Sequence, residues 1–345
     1  MTDVPADMLG DAPAARSPRG RGTVVAGGPT PAGAAPVIVP SGIVPKALEE
    51  ELAPQRSLTR DVWDQFSTHK GALFGSFVFF GLLIAVVVGP WIWTIDPTYV
   101  DIRARNSGPS LAHPFGTDQL GRDWLARMFA GGRVTMAVGI TAMLISLLLG
   151  TLIGVLAGYF KRLDAPLMRF TDLFLALPLL PLLLVISMLF REALSARFGP
   201  EGGIFLLMIT AIGITSWMQA ARIVRGDVLA LKEREFVLAA RSVGTRPRRI
   251  ISRHVLPNVL SPIMVSATLG IANAIITESA LSFLGLGFPP DFPTWGRLLF
   301  DAIDYMPQYP LWVVLPGVAI SLAVLSVNYM GDGLRDALDP RIRGR

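Results

Sequence analysis

The segment EREFVLAARSVGTRPRRIISRHVLPN, residues 233–258, separates two very apolar stretches of the chain. From Arg222 to His254 the sequence holds nine Arg or Lys residues and only three acidic residues. Loops rich in Arg and Lys remain on the cytoplasmic side of a membrane. Residues 233–258, which we call the elbow, are therefore predicted to lie in a cytoplasmic loop between two membrane spans.

Two short helices joined at a glycine are predicted within the elbow. Apolar residues recur at helical spacing in its first half, at Phe236, Val237, Ala240 and Val243. Gly244 follows, where a residue in the left-handed conformation would end that helix. Thr245 can cap a second short helix with Pro247 in its first turn. Such a shape at the inner membrane face suits the docking of another protein.

Six uncharged stretches are long enough to cross a bilayer, which takes roughly 17 to 25 residues. They are residues 71–95, 134–160, 173–190, 202–221, 255–277 and 305–331. A segment surrounded by lipid must satisfy its own backbone hydrogen bonds, so these runs are predicted to be helices. The expected fold class is an all-α polytopic membrane protein with six spans and the elbow between the fourth and fifth spans.

The distribution of charge predicts the orientation and the parts of the chain. Basic residues concentrate in the loops 161–172, 222–254 and 332–345, so both termini are expected in the cytoplasm and the protein in the cell (inner) membrane. The predicted outer loop, residues 96–133, is an exception to this charge rule because it contains five arginines, and we expect it to fold against the membrane. The predicted parts are a disordered tail rich in proline and glycine (1–57), an amphipathic interfacial helix (58–70), the first span (71–95), the outer loop (96–133), a five-helix core that contains a coupling loop at 222–258 (134–332) and a cytoplasmic tail (333–345).

The outer loop contains the sequence HPFGTDQLGRD, residues 113–123. Its candidate site residues are Phe115, Gly116, Thr117, Asp118, Gly121, Arg122 and Asp123. The glycines permit tight turns, and the aspartates can cap a following helix, expected from Asp123 to Phe129, and pair with Arg122. A turn that seats the second span is favoured over direct contact with a substrate.

Two further features lie in the spans themselves. Gly150, Gly154 and Gly158 are four residues apart on one helical face, which lets another helix approach closely. Glu278 follows a long apolar run near its outer end, and its role is open between a structural hydrogen bond and an outer gate. Met143 is expected to face lipid.

Several classes of function are excluded by the sequence. There is no cysteine, and the three histidines lie far apart, so neither a thiolate nor a metal site is expected. The chain has no GxxxxGK[ST] loop, GxSxG or HExxH motif, so it is not expected to bind ATP or to be an enzyme. The net charge of +5 is clustered at the ends of apolar runs, which indicates contact with membrane lipid and not with nucleic acid.

The elbow resembles the cytoplasmic loop of binding-protein-dependent ABC importer permeases. That family's pattern is Glu-Ala-Ala, three residues, Gly, nine residues, and then Ile-x-Leu-Pro. Residues that match it are Ala239, Ala240, Gly244, Leu256 and Pro257. Leu238 stands in place of the family's Glu, and His254 in place of a frequent Ile. Residues 113–123 and 278–296 are similar to the corresponding segments of dipeptide/oligopeptide-type permeases. These transporters contain two different permease subunits, and residues 113–123 resemble the one called the C-type subunit.

This resemblance implies the type I permease fold of ABC importers and a set of partners. A C-type permease pairs with a second permease, two cytoplasmic ATPases and an extracytoplasmic solute-binding protein. ATP-Mg is expected on the ATPases and no cofactor on this chain. The resemblance places the ATPase-docking loop at Glu235, Leu238, Ala239, Ala240, Gly244, His254, Leu256 and Pro257.

The substrate and one competing class of protein stay open. Di- and oligopeptides are the expected solutes, and nickel chelates, glutathione or sugars are the alternatives within the family. A secondary transporter driven by an ion gradient would need coupling carboxylates near the middle of the membrane, and the six runs contain none. A receptor or channel subunit is a further alternative.

Overall fold

The computed structural model describes residues 58–338, and most of them are helical. The helices are α1 (Leu58–Thr68), α2 (Lys70–Ile92), α3 (Trp124–Tyr159), α4 (Lys161–Ala176), α5 (Leu179–Phe198), α6 (Pro200–Leu231), α7 (Glu235–Ser242), α8 (Pro247–Phe283), α9 (Trp295–Ala302) and α10 (Pro310–Leu338). Within this range six of them, α2, α3, α5, α6, α8 and α10, are long and apolar enough to cross a membrane. The all-α fold with six spans is confirmed, whereas the tail predicted at 1–57 lies outside the described residues.

The second span begins ten residues earlier than its apolar run, at Trp124. The Asp123 carboxylate accepts a hydrogen bond from the backbone N–H of Ala126 at 2.7 Å and so caps the helix. Residues 124–133, predicted as outer loop, are therefore the first turns of α3. Charge ends an apolar run but does not end a helix, and Arg127 in these turns is buried and paired.

The third apolar run, 173–190, is not one helix. It is interrupted at Leu177, whose ψ of 136° is extended, between α4 and α5. Pro178 follows, and a proline disfavours the helical conformation in the residue before it. The third span is Leu179–Phe198, which continues past the charged residue Arg191.

The coupling loop predicted at 222–258 is mostly helical. Helix α6 continues to Leu231, and α8 already begins at Pro247 and runs to Phe283 through a π-helical turn at Ile251–Val255. The second short helix of the elbow is thus the start of the fifth span. Arg246, and not Thr245, occupies its N-cap position, without a capping side chain. The last span likewise continues to Leu338 in the predicted C-terminal tail, and residues 339–345 lie outside the described range.

The most extensive helix contact joins α3 and α6. A methyl group added at Gly150, Gly154 or Gly158 would lie only 2.6–2.7 Å from atoms of α6. The three glycines therefore form the α3 side of this contact. At the outer ends of the helices Trp124, Trp295 and Trp312 lie in one buried cluster contributed by α3, α9 and α10. Met143, expected to face lipid, is instead buried and packs against Gly270 of α8.

Candidate functional site

Helix α7 ends in a turn that requires glycine. The backbone N–H of Gly244 donates to the carbonyl of Arg241 at 3.0 Å, and that of Thr245 donates to the carbonyl of Ala240 at 3.1 Å. This pair of bonds is a Schellman motif, with Gly244 in the left-handed conformation at φ 79°. A side chain at Gly244 would meet no atom within 4 Å, so the turn is limited by backbone conformation and not by space.

The elbow packs against α3, α6 and α8, three of the long helices. Val237 of α7 is fully buried in a cluster with Val224 and Val228 of α6, Val155 of α3 and Val259 of α8. Just before α7, the Lys232 ammonium group donates to the carbonyl of Gly158 at 3.0 Å. Helix α7 and the residue before it therefore contact α3, α6 and α8.

The opposite side of α7 is exposed and apolar. Phe236 and Leu238 are 44% and 39% exposed, and Val243 after the helix is 86% exposed. The exposed residue Ala239 belongs to the same surface, whereas Arg241, also exposed, follows Val237 by one helical turn and lies at the edge of this surface. Further exposed arginines lie close in the chain, at Arg246, Arg248 and Arg249. An apolar patch with a basic rim is a typical interface for a protein partner.

The predicted docking residues differ in their exposure. Glu235 and Pro257 are exposed, whereas Ala240 and Leu256 are half-buried against the valine cluster. His254, at a position that departs from the family pattern, is half-buried, with its ring 6.3 Å from that of Phe236. His254 therefore lies beside the exposed face of α7, whereas Ala240 and Leu256 pack on the buried side of the elbow, against the valine cluster.

Salt bridges join α4 to α6 near the elbow. Arg225 donates to Asp164 at 2.9 Å, and Arg222 donates to Asp172 at 2.5 Å. The hydrogen bonds from the Arg225 guanidinium hold the pKa of the Asp164 carboxyl below its ordinary value. These ion pairs hold α4 against the C-terminal part of α6, which leads into the elbow.

The outer-loop motif is built around the buried carboxylate of Asp118. It accepts hydrogen bonds from the backbone N–H groups of Leu120 and Arg122, each at 2.9 Å, and from the side chains of Arg122 at 2.7 Å and Arg127 at 2.6 Å. Arg127 also donates to Asp301 of α9 at 3.2 Å. This network connects the outer loop, α3 and α9.

The other motif residues complete the turn. Asp123 accepts hydrogen bonds from the indole N–H of Trp93 at 2.9 Å and from His113 at 2.8 Å, besides capping α3. Thr117 donates to the carbonyl of Ala104, and Gly116 and Gly121 have φ of 78° and 76°. Phe115 packs, half-buried, against the tryptophan cluster. Because these groups bind one another, their arrangement favours a structural turn, which positions the start of α3, over a site that contacts a substrate.

Glu278 lies in a buried polar cluster near the C-terminal end of α8. Its side chain is fully buried, and the hydroxyl of Ser282 donates to its Oε1 at 2.7 Å. The hydroxyls of Thr135, Ser279 and Thr294 surround the carboxyl group, but none of them makes a hydrogen bond of good geometry to Oε2. The cluster joins α8 to α3 and to the cap of α9, where Thr294 accepts from the backbone N–H of Arg297 at 3.1 Å.

A cavity of about 400 Å³ lies between α3, α4, α5, α6 and α8, and we call it the central cavity. The sequence does not predict this cavity from its charges, because no charged residue lines it. The available signal was a set of neutral polar residues within the apolar runs, namely Ser146, Ser216, Gln219, Ser266 and Asn273. Within residues 58–338 no group of three or more His, Cys, Asp or Glu side chains is arranged to hold a metal ion.

Comparison with known families gives two matches along the chain. Residues 150–344 match the binding-protein-dependent transport system inner membrane component, and residues 57–109 match the N-terminal TM domain of oligopeptide transport permease C. Together the two matched ranges include the elbow and the first part of the outer loop.

Individual proteins are similar over most of the chain. A putative peptide transport system permease protein of Brucella abortus is 38% identical over 276 residues, which are 80% of this chain and 89% of that protein. The dipeptide transport system permease protein DppC of Bacillus subtilis is 37% identical over 292 residues, 84% of this chain and 88% of its own length. A solved structure of the MetNI methionine ABC transporter in an inward-facing conformation covers 61% of this chain and 95% of its own, at 18% identity and a TM-score of 0.49.

Proposed function

The chain belongs to the family of binding-protein-dependent transport system inner membrane components, and we propose that it is the permease subunit of an ATP-driven importer of di- and oligopeptides. The peptide substrate is supported by the names of relatives that are 37–38% identical over most of their length. The observation that carries the mechanism is the exposed apolar face of α7 on an elbow packed into three long helices.

The proposed complex has four kinds of partner. The sequence has no phosphate-binding loop, so ATP-Mg is bound by two separate cytoplasmic ATPase subunits and this chain is non-catalytic. A second permease completes the membrane channel, an extracytoplasmic binding protein delivers the solute, and lipid surrounds the pair. Both termini lie in the cytoplasm, as the basic loops favour.

Energy enters the membrane domain through α7 in this proposal. The ATPase binds the face formed by Phe236, Leu238 and Ala239, and its movement displaces α7. Because Val237 and Lys232 connect this region to α3, α6 and α8, the inner ends of these helices move with it. Packed helices have discrete arrangements, so such a displacement changes access to the path between them.

Ala239→Trp tests the docking surface. A large side chain on the exposed face of α7 should keep the ATPase from docking while leaving the buried side intact. We expect normal amounts of permease in the membrane, loss of the ATPase on co-purification and no peptide uptake. Ala193→Trp on α5 is the matched control, since Ala193 is also exposed but lies far from the elbow, and it should transport normally. Full uptake and co-purification by Ala239→Trp would contradict the docking proposal.

Gly244→Val tests the geometry of the same elbow at a position that follows α7, outside the face formed by Phe236, Leu238 and Ala239. A β-branched residue at φ 79° costs roughly 1 kcal/mol or more, although no neighbouring atom obstructs it. We expect the angle between α7 and α8 to change, so that bound ATPase hydrolyses ATP without transport. Uptake that persists in wild-type vesicles after ATP is withdrawn, but stops with an ionophore, would instead indicate an ion-coupled transporter.

A further inference from the structure

The polar residues of the central cavity lie at similar depth on three different helices. Met143 of α3 contacts Gly270 of α8, and the carbonyl of Ala142 faces Gly213 of α6, so these positions share one level. One turn further inward are Ser146, Ser216 and Ser266, each three or four residues from that level. Their hydroxyl groups thus lie at a common depth in the middle of the bundle.

Two primary amides continue this polar series in opposite directions. Gln219 lies about one turn inward of Ser216 on α6, and Asn273 lies outward of Ser266 on α8. Both side chains are exposed, and neither makes a side-chain hydrogen bond to another residue of the described part of the chain. In a membrane such groups face water, a solute or a partner protein, because lipid offers them no hydrogen bond.

The wall of the central cavity also contains an interrupted helix. Leu177 and Leu179, which flank the break between α4 and α5, both line the cavity, and no side chain caps the start of α5 at Pro178. Non-helical backbone at the depth of a membrane is tolerated only where protein buries it or where it borders water. Leu177 is 43% exposed, so protein does not cover it in this chain, and the break fits a cavity that holds water.

None of the residues that line the central cavity is an Asp, Glu, Lys, Arg or His. We infer that the central cavity is this chain's part of the solute path, and that its neutral hydroxyl and amide groups bind the peptide main chain without selecting the charge of the side chains. This inference rests on the proposed function. It assigns Ser146, Ser216, Gln219, Ser266 and Asn273 as the binding residues.

The chemistry of a peptide main chain matches these groups. Every peptide unit carries one donor and one acceptor that must stay paired when it leaves water. Serine hydroxyls and primary amides offer both donors and acceptors. A charged wall would attract peptides of opposite charge and repel those of like charge, whereas a neutral wall passes both. Weak, repeated binding also permits release, which a path for transport requires.

Single cysteines test whether the cavity is open to water and to solute. This chain contains no cysteine, so Ser216→Cys and Asn273→Cys each introduce the one thiol of this subunit, and its labelling is read on the isolated subunit band. In the assembled transporter we expect both to react with a charged, water-soluble thiosulfonate, and to react several-fold more slowly while trialanine is being transported. Phe77→Cys on α2 is the control, because its side chain is 78% exposed on the outer surface of the bundle and lipid should shield it.

Two results would overturn the inference. The first is no reaction at Ser216→Cys and Asn273→Cys in complexes of normal size, as expected if a helix of the second permease fills the cavity. The second is a reaction rate that trialanine does not change during transport.

Asn273→Asp tests the indifference to charge. With binding protein saturated by each peptide, wild-type vesicles should import Ala-Glu-Ala and Ala-Lys-Ala at similar rates. A carboxylate at position 273 should lower the ratio of acidic to basic peptide on the order of tenfold, through like-charge repulsion. Asn273→Gln is the neutral control and should leave the ratio unchanged.

The outcomes separate this inference from the proposed function. If wild-type vesicles import the peptides with ATP but Asn273→Asp leaves the ratio unchanged, the function stands and the inference about the cavity fails. If wild-type vesicles import none of the peptides, the proposed function fails and the inference fails with it.

Discussion

Gly154 lies at the closest approach of α3 to α6, and replacing it with alanine measures how tightly the two helices pack. The added methyl carbon would lie 2.6 Å from the carbonyl oxygen of Ala221 and 2.8 Å from Cβ of Val224. An ordinary contact needs about 3.4 Å, so the helices must separate by about 0.8 Å. Neither atom can turn away, because one belongs to the backbone and the other to a β-branched side chain.

The expected cost follows from comparison with a second glycine. Overpacking a well-packed interior costs typically about 1–3 kcal/mol. Alanine also favours a helix over glycine by up to about 1 kcal/mol, which partly masks this cost. Gly226→Ala on α6 cancels that contribution, because a methyl group at Gly226 meets no atom within 4 Å. The free energy of unfolding of Gly154→Ala should therefore be about 1–3 kcal/mol below that of Gly226→Ala.

The assay is thermal unfolding of the purified permease pair in one fixed lipid or detergent. We expect Gly226→Ala to unfold at or slightly above the wild-type midpoint and Gly154→Ala several degrees below it. Gly154→Leu, which adds three further carbons, should fail to assemble. Equal midpoints for the two alanine variants would refute the close-packing argument.

Three further predictions concern charge. Asp118→Asn should lower the free energy of unfolding by about 3–5 kcal/mol, because Arg127 loses a buried carboxylate partner. The variant should therefore be lost from the membrane fraction, and near-wild-type abundance would contradict a stabilising role of the Asp118 ion pairs. A reporter active only in the cytoplasm should work when fused after Arg345 or within 232–246 and fail within 285–293, and activity at this last place would contradict the proposed orientation. Asp164→Asn should lower the unfolding free energy by about 0.2–1 kcal/mol at neutral pH. The pKa of Asp164 is lower in the folded state than its ordinary value of 3.8. The difference in unfolding free energy between wild type and Asp164→Asn should therefore be constant above pH 3.8 and disappear as the pH falls through the folded pKa. Paired melting curves measure it, and a difference that already disappears near pH 7 would contradict this prediction.

The sequence predicts much of the fold because the membrane imposes strong rules on it. Long uncharged runs predict all six spans, and the glycine in the elbow predicts its left-handed turn. The extents of the helices are predicted poorly. The helix expected from Asp123 to Phe129 and the span expected from residue 134 are one continuous helix, whose first turns contain charges. Buried ion pairs such as that of Arg127 with Asp118 keep these charges within a helix, and their partners cannot be identified from spacing alone.

Which face of a span meets lipid is also difficult to predict. Lipid and the protein interior are both apolar, so Met143 has the composition of a lipid-facing residue although it is buried against α8. The central cavity was missed for a related reason. Serine and asparagine do not interrupt an apolar run, and the cavity exists only because α3, α6 and α8 bring such residues together from distant parts of the chain.

Arg127 obtains its two carboxylate partners at different times during synthesis. Asp118 precedes it by nine residues, whereas Asp301 follows it by 174 residues. At roughly 5–20 residues per second, Asp301 is translated about 9–35 s after Arg127. The outer loop can therefore fold early around Asp118, while α9 joins it only when most of the chain has left the ribosome. A nascent chain that stops before Asp301 leaves Arg127 with one carboxylate partner, so the ion-pair network that joins α3 to α9 is completed only late in synthesis.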